Sequence, residues 1–250
     1  MKLTPNVTKY AQKCLKYNHI NKTKPYRSIV AIVQYLHNKE GINDLETIHE
    51  LVLDYLVKCG RDDLKVDLGY IAKSYKPEHY LEVEEITISH NEINKILNSG
   101  YPYSWQKILF VMLVHYKAKE QALNVTSEKI EFSMNELMQD AHVSLSTAKR
   151  TEMLRAFGED GFVAFANGGK KAQHLYLTFL EKEDFTPAVT VTEFENFYLY
   201  FEQIVKGGKL KICKTCGTLM LDKGKTNQMI HCQPCSKKRR LERKSNKNKS

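Results

Sequence analysis

The residues of this chain with the clearest chemistry are Cys213-Lys-Thr-Cys216 and Cys232-Gln-Pro-Cys235, two C-x-x-C pairs separated by fifteen residues. Each pair can turn both of its sulfurs onto one ion. The spacing C-x2-C-x15-C-x2-C matches a tetrahedral zinc site. Four thiolates leave no open position for water, so the expected cofactor is a single structural Zn2+ held by Cys213, Cys216, Cys232 and Cys235. Gly217 suits a tight knuckle that needs positive φ. Lys209, Lys211, Lys214, Lys223 and Lys225 surround the pairs and favour thiolate over thiol. Two structural disulfides, or four unrelated cysteines, are the competing readings, and disulfides suit an oxidising compartment. His231 is a substitute for Cys232 only if the paired geometry is broken.

The segment C-terminal to the last ligand is strongly basic. From Lys206 to Ser250 there are 14 Lys/Arg against Asp222 and Glu242, a formal +12 in a chain whose total is +9. The first 205 residues are therefore slightly acidic, at −3. Four thiolates and one Zn2+ lower the C-terminal figure to +10. A basic block beside a zinc ribbon is the footprint of a polyanion partner, most often nucleic acid. Lys237, Lys238, Arg239, Arg240, Arg243 and Lys244 lie close enough to the last ligand to be aimed by it. A solvated tail that binds nothing in particular is the alternative.

Positioning these groups falls to an otherwise ordinary composition: 250 residues, 42% hydrophobic and 27% charged, compatible with one large domain or several small ones. Apolar runs such as Ile108–Val114 fall far short of the ~20 residues needed to span a bilayer. The opening Met1-Lys2-Leu3-Thr4-Pro5 lacks a signal-peptide core, so a cytoplasmic protein is expected. Cys14 and Cys59 sit in apolar helical patterns and read as buried thiols.

The first hundred residues read mainly as helix. Pro25 opens one segment, and Asn43-x-x-Glu46 resembles a capping box before a stripe of Leu45, Ile48, Leu51, Val52, Tyr55 and Leu56. Leu81–Ile88 is strand-like, Ser89-x-x-Glu92 caps a short helix through Leu97, and Ser99-Gly100-Tyr101-Pro102 is a breaker. A helix over about 104–120 comes next, with His115 as a core residue. Ser133-x-x-Glu136 starts a short helix, a turn falls at Ala141-His142-Val143, and a further helix runs from Ser144 or Ser146 to Phe157. Gly161–Phe165 and Leu175–Leu180 read as two strands around a hairpin tip at 167–171. Ala188–Thr192 reads as another strand. Thr192-x-x-Glu195 then caps an aromatic-rich helix bearing Phe194, Phe197, Tyr198 and Phe201, whose stripe reads as core. Gly207-Gly208 is a joint to the ribbon.

The segment Leu137-Met-Gln-Asp-Ala-His-Val143-Ser144-Leu-Ser146-Thr147-Ala148-Lys149-Arg150 resembles the helix-turn-helix of many bacterial regulators. Helix, short helix, turn, helix and two-stranded hairpin over residues 103–181 is the order of the winged helix-turn-helix superfamily. The resemblance implies a recognition helix with a small polar cap and a polar first turn. Helix N-termini attract phosphate. Ser144, Ser146 and Thr147 can donate to phosphates or base edges, and Lys149 and Arg150 add charge. Arg pairs bidentately with guanine. Lys170 and Lys171 at the wing tip reach an adjacent groove or backbone. The same fold used only for protein contacts, its serines acting as caps, remains open.

No P-loop, GxGxxG, HExxH or GxSxG motif is present. Asp62, Asp63, Glu82, Glu84 and Glu85 are the acids from which a nuclease would be built, but they lack a specific spacing. The expectation is a mainly α chain with small β elements. It comprises a helical domain over 1–100, a winged helix with a helical extension over 103–206, a four-cysteine ribbon over 207–236 and a basic tail over 237–250. The expected function is non-enzymatic binding of duplex DNA, as a regulator or replication accessory factor of a bacterium or mobile element. Two other readings stand beside it. One is an adaptor for RNA or protein, with a partner or self-association through residues 1–100. The other is a nuclease.

Overall fold

Four amphipathic helices arise from the apolar spacing of the first 75 residues. In the computed structural model, the described residues are 6–21, 24–75, 82–123, 130–131, 133–165, 174–180, 186–222, 224 and 230–247. The helices are α1 (Val7–Tyr17), α2 (Pro25–Asn38), α3 (Leu45–Lys58) and α4 (Leu68–Ser74). Asn6, Asp44 and Asp67 cap α1, α3 and α4 by accepting from Lys9, Thr47 and Tyr70 N–H groups. Each satisfies a donor the helix leaves unpaired at its start. The cap of α3 is thus one residue later than the Asn43 capping box. Asp44 reaches Thr47 N at 2.8 Å, while Asn43 Oδ1 instead accepts from Tyr75 Oη at 3.4 Å. Ala11, Cys14, Ile29, Ile32, Ile48, Val52, Leu56 and Ile71 form the core between these helices. Cys14 is fully buried, as its apolar pattern implied, and Cys59 is half-buried.

The middle of the chain builds a separate core. It comprises β1 (Ile86–Ser89), α5 (His90–Leu97), α6 (Tyr103–Leu123), β2 (Ile130–Glu131), α7 (Met134–Asp140), α8 (Thr147–Glu159), β3 (Val163–Phe165), β4 (His174–Leu177), β5 (Pro187–Val191) and α9 (Tyr198–Lys206). The capping box at Ser89 and Glu92 is formed in full at the start of α5. Glu92 is completely buried, and Lys117 Nζ meets its carboxylate at 2.7 Å. A buried carboxylate needs such a partner. β1 pairs antiparallel with β5, from Ile86↔Val191 to Ser89↔Pro187. A second sheet has the order β2-β4-β3, all antiparallel.

Ile108 to Val114 are at most 1% exposed, so α6 is the central helix of this core. Phe110 and Phe201 pack at 5.4 Å, and Phe157 lies among Tyr101, Trp105 and Phe162. His115 contacts Asp140 at 3.1 Å and the ring of Phe197. Ser133 occupies the cap position of α7 without a side-chain capping bond. Helix α9 starts at Tyr198 rather than after Thr192. Thr192 Oγ1 and N–H are both engaged by the Tyr200 hydroxyl, and Asn196 has φ +61. These features keep residues 193–197 out of the helix. Phe197 and Phe201 are buried, which makes this part of the aromatic stripe core.

The last elements are β6 (Lys209–Ile212), β7 (Leu219–Asp222) and α10 (Gln233–Lys247). β6 and β7 form a hairpin in register Lys209↔Asp222 to Ile212↔Leu219. Lys211 Nζ and Asp222 Oδ2 close it at 2.6 Å, which holds the Asp222 carboxyl below its ordinary pKa. Gly208, at φ +108, has no room for a Cβ, which would sit 2.7 Å from the Asp222 carbonyl oxygen. The chain divides into two compact units: residues 83–206, and the pair of segments 6–82 and 207–250. Residues 83–100 therefore group with the middle of the chain, and the ribbon groups with α1–α4. The whole is mainly helical with small sheets. Among the described residues, no helix is long and apolar enough to cross a membrane.

Candidate metal centre and nucleic-acid interface

β6 delivers Cys213 into a closed knuckle. Cys213 N–H donates to Thr218 O at 3.0 Å, and Gly217 N–H donates back to Cys213 O at 2.9 Å. Gly217 makes the turn at φ +66, the conformation its type suggested. A Cβ there would also lie 2.7 Å from the Tyr17 ring, so glycine lets the knuckle rest on α1. The second pair is joined to the first through the backbone. Lys214 N–H donates to Ile230 O at 3.0 Å, and Cys232 N–H donates to Cys213 Sγ at 3.3 Å.

All four Sγ atoms lie within 4.8 Å of one another, with Cys216 and Cys232 sulfurs 3.6 Å apart. None of these cysteines is disulfide-bonded. Four converging thiols, one buried and three half-buried, are positioned to bind a metal ion. Burial pushes the Cys213 thiol up, but N–H groups of Cys232, Cys216 and Thr215 outweigh it and bring its pKa to about 6. Burial raises Cys232 and Cys235, and neighbouring sulfurs raise Cys235 further. Crowded sulfurs resist ionising together, and a cation among them removes that resistance.

His231 lies outside the four sulfurs. Its Nδ1 is 2.8 Å from Thr215 Oγ1, and its Nε2 accepts from Arg239 Nη1. Thr215 belongs to the first knuckle and Arg239 to α10, so these side chains link the two. This relay was not legible in the sequence; only the position of His231 beside a ligand pointed to it. Helix α10 begins at Gln233, inside the second C-x-x-C, and runs to Lys247. The basic tail is thus largely helix, continuous with the ligand turn. Lys237, Lys238, Arg239 and Arg240 are exposed on it, and its span includes positions 243 and 244.

The residues that resemble a helix-turn-helix in sequence sit at the α7–α8 junction. His142 has φ +49 at the turn and stacks on Tyr198 at 4.4 Å. Ser146 is the cap of α8, its Oγ accepting from Lys149 N–H at 3.4 Å. Ser144, Thr147 and Lys149 are exposed. Arg150 is committed within the fold: Nε donates to Leu145 O at 3.0 Å and Nη1 to Asn135 Oδ1 at 2.7 Å. The exposed residues of α8 also include Glu152, Arg155 and Glu159, the last two 3.6 Å apart as an ion pair. Lys170 and Lys171 lie outside the described residues.

Two of the five acids singled out for a nuclease are engaged with other side chains. Asp63 accepts from Arg61 at 2.7 and 3.0 Å, and Glu82 accepts from Lys39 at 3.3 Å and from Thr8. Among the described residues, the four cysteines are the one group of three or more His, Cys, Asp or Glu gathered closely enough for an ion. No protein-family model, no curated protein and no solved structure matches the chain.

Proposed function

We propose that the protein is a non-enzymatic, cytoplasmic nucleic-acid-binding protein whose four-cysteine centre holds one structural Zn2+. Zinc suits an all-thiolate tetrahedron, in which bonds of about 2.3 Å place sulfurs about 3.8 Å apart. The 3.6 Å separation of Cys216 and Cys232 is close to that edge. The ion supplies folding energy and no open coordination position. Cys213, Cys216, Cys232 and Cys235 hold it and fix the knuckles between β6–β7 and α10.

The observation that carries the nucleic-acid reading is the basic helix issuing directly from the ligand turn. Lysine and arginine side chains there, aimed by a rigid base, neutralise phosphates irrespective of sequence. For residues 103–179, the order α6, β2, α7, α8, β3, β4 with sheet order β2-β4-β3 supports the winged-helix reading. In that reading α8 enters the major groove and α10 adds affinity. The role fits a regulator or replication accessory factor of a bacterium or mobile element.

One observation favours a second reading. The solvent face of α8 carries Glu152 and Glu159 beside Lys149 and Arg155, so its charge is balanced. A balanced face suits a protein contact, with nucleic acid left to α10. The test is binding to duplex DNA, single-stranded DNA and RNA side by side as salt is varied. Neutralising Lys237, Lys238 and Arg240 to Gln should flatten the log–log salt slope on duplex DNA by about 2–3, at about 0.9 per phosphate contact. It should leave any sequence preference unchanged. A slope that does not move removes α10 from the interface.

A further inference from the structure

Among the described side chains, which end at Glu242, helix α10 shows no packed face. Gln233, Pro234 and every residue from Ser236 to Glu242 are exposed, and Leu241 is 59% exposed. Helices of this length take most of their stability from packing an amphipathic face. The sequence of α10 also opposes the helix. Positions 237, 238, 239, 240, 243, 244 and 247 are Lys or Arg, and Glu242 is the only acid in the span. Like charges three or four residues apart destabilise a helix. The first turn has no acid to complement the macrodipole.

What holds α10 is concentrated at its base. Cys232 immediately precedes it and Cys235 lies in its first turn. Ser236 N–H donates to Cys232 O at 2.9 Å, and Ser236 Oγ donates to His231 O at 3.4 Å. The guanidinium of Arg239 can only donate, so His231 Nε2 accepts from it. The imidazole proton then sits on Nδ1 and is donated to Thr215 Oγ1 at 2.8 Å. A metal on the four thiols joins the same two knuckles that this relay joins. It also brings four thiolates and a divalent cation, formally −2, to the positive end of the helix dipole.

We infer that metal loading and nucleic-acid binding are coupled through α10, an inference that rests on the nucleic-acid reading above. The ion sets the first turns of the helix. A phosphate backbone neutralises the repulsion along the remainder. Each ligand therefore raises the affinity for the other by the same factor, as linkage requires. The negative charge of the cluster opposes this at short range. Residues 240–247 lie about 8–18 Å along the axis from Cys235, and the Debye length at physiological salt is about 8 Å. The ordering of the helix outweighs that screened repulsion.

The experiment uses the full chain, reduced, and a short mixed-sequence DNA duplex as the polyanion. Zn2+ affinity is measured by competition with a chromogenic chelator, with and without saturating duplex. Duplex affinity is measured for zinc-loaded and zinc-stripped protein. Both ratios should be about ten-fold, within the usual range for coupled sites, and should agree. The variant K237Q/K238Q/R240Q, with less repulsion along α10, should bind zinc at least as tightly as the parent without duplex and lose the gain that duplex brings. Duplex that binds equally well with and without zinc, and leaves zinc affinity unchanged, overturns the coupling while sparing the nucleic-acid reading. So does a charge-neutralised variant that retains the full gain. Failure to bind duplex, single-stranded DNA or RNA at either loading overturns both.

Discussion

Residues 103–179 and residues 209–247 are each a small assembly of helix and narrow sheet, yet different forces hold them. The first surrounds α6, whose residues Ile108 to Val114 are at most 1% exposed, and fills its core with Phe157, Phe110 and Trp105 contacts. The second has β6 and β7, a few apolar side chains such as Leu219 and Met220, and four sulfurs within 4.8 Å. Below about 40 residues a core is too small to stand alone, and a metal or disulfide usually compensates. The contrast shows two solutions to one entropic problem in a single chain. A region with a core tolerates polar edits at its rim, while the region centred on the four cysteines leans on those sulfurs and on its seat against α1.

The largest effect expected from this difference is metal removal. Structural zinc contributes about 10–16 kcal/mol of coupled folding free energy in isolated finger peptides. Chelation, or Cys213→Ser, should abolish amide-exchange protection across β6, β7 and the start of α10. Protection in α6 and α8 should stay as it was. Loss of protection in both regions together would show that the two are not independently held.

A smaller effect should appear on the other side. Phe157→Ala removes a fully buried ring and should destabilise the α6–α8 core by about 3–5 kcal/mol. Denaturant melting would show a lowered midpoint for that transition, with zinc stoichiometry by metal analysis still one per chain. A variant that also loses its zinc would erase the distinction between the regions.

The smallest effect separates two neighbouring basic residues on α8. Arg150→Ala should lower stability by about 1–2 kcal/mol, because its guanidinium bonds to Leu145 O and Asn135 Oδ1. Lys149→Ala, at an exposed site, should leave stability unchanged and weaken duplex binding by about 1 kcal/mol if α8 contacts DNA. Equal melting of parent and Arg150→Ala proteins would make Arg150 available again as a base contact.

The convergence of Cys213, Cys216, Cys232 and Cys235 was legible because it needs only residue type and spacing. Local caps were nearly as readable. Ser89 and Glu92 form the box their spacing implies, and Ser146 caps α8. The failures have physical causes. Asp44 displaced Asn43 because its carboxylate reaches Thr47 N–H. Thr192 failed as a cap because the Tyr200 hydroxyl, brought in by the fold, engages it. The β1–β5 pairing joins Ile86 to Val191 across most of a unit, and no local pattern encodes such a partner. Helix α10 carries no apolar period to read. Its position is set by Cys232, Cys235 and the Thr215–His231–Arg239 relay, which depend on the folded ribbon.

The grouping of residues 6–82 with 207–250 has a consequence for the order in which the protein is made. The seat for Gly217, formed by Lys13 and Tyr17 on α1, leaves the ribosome long before Gly217 does. The intervening unit, residues 83–206, is contiguous and has every segment it needs as soon as Lys206 emerges. At about 5–20 residues per second, the Lys13 and Tyr17 seat on α1 waits about 10–40 s for Gly217. A nascent chain stalled just after Lys206 emerges has every segment of one unit and lacks the knuckle that the α1 seat receives.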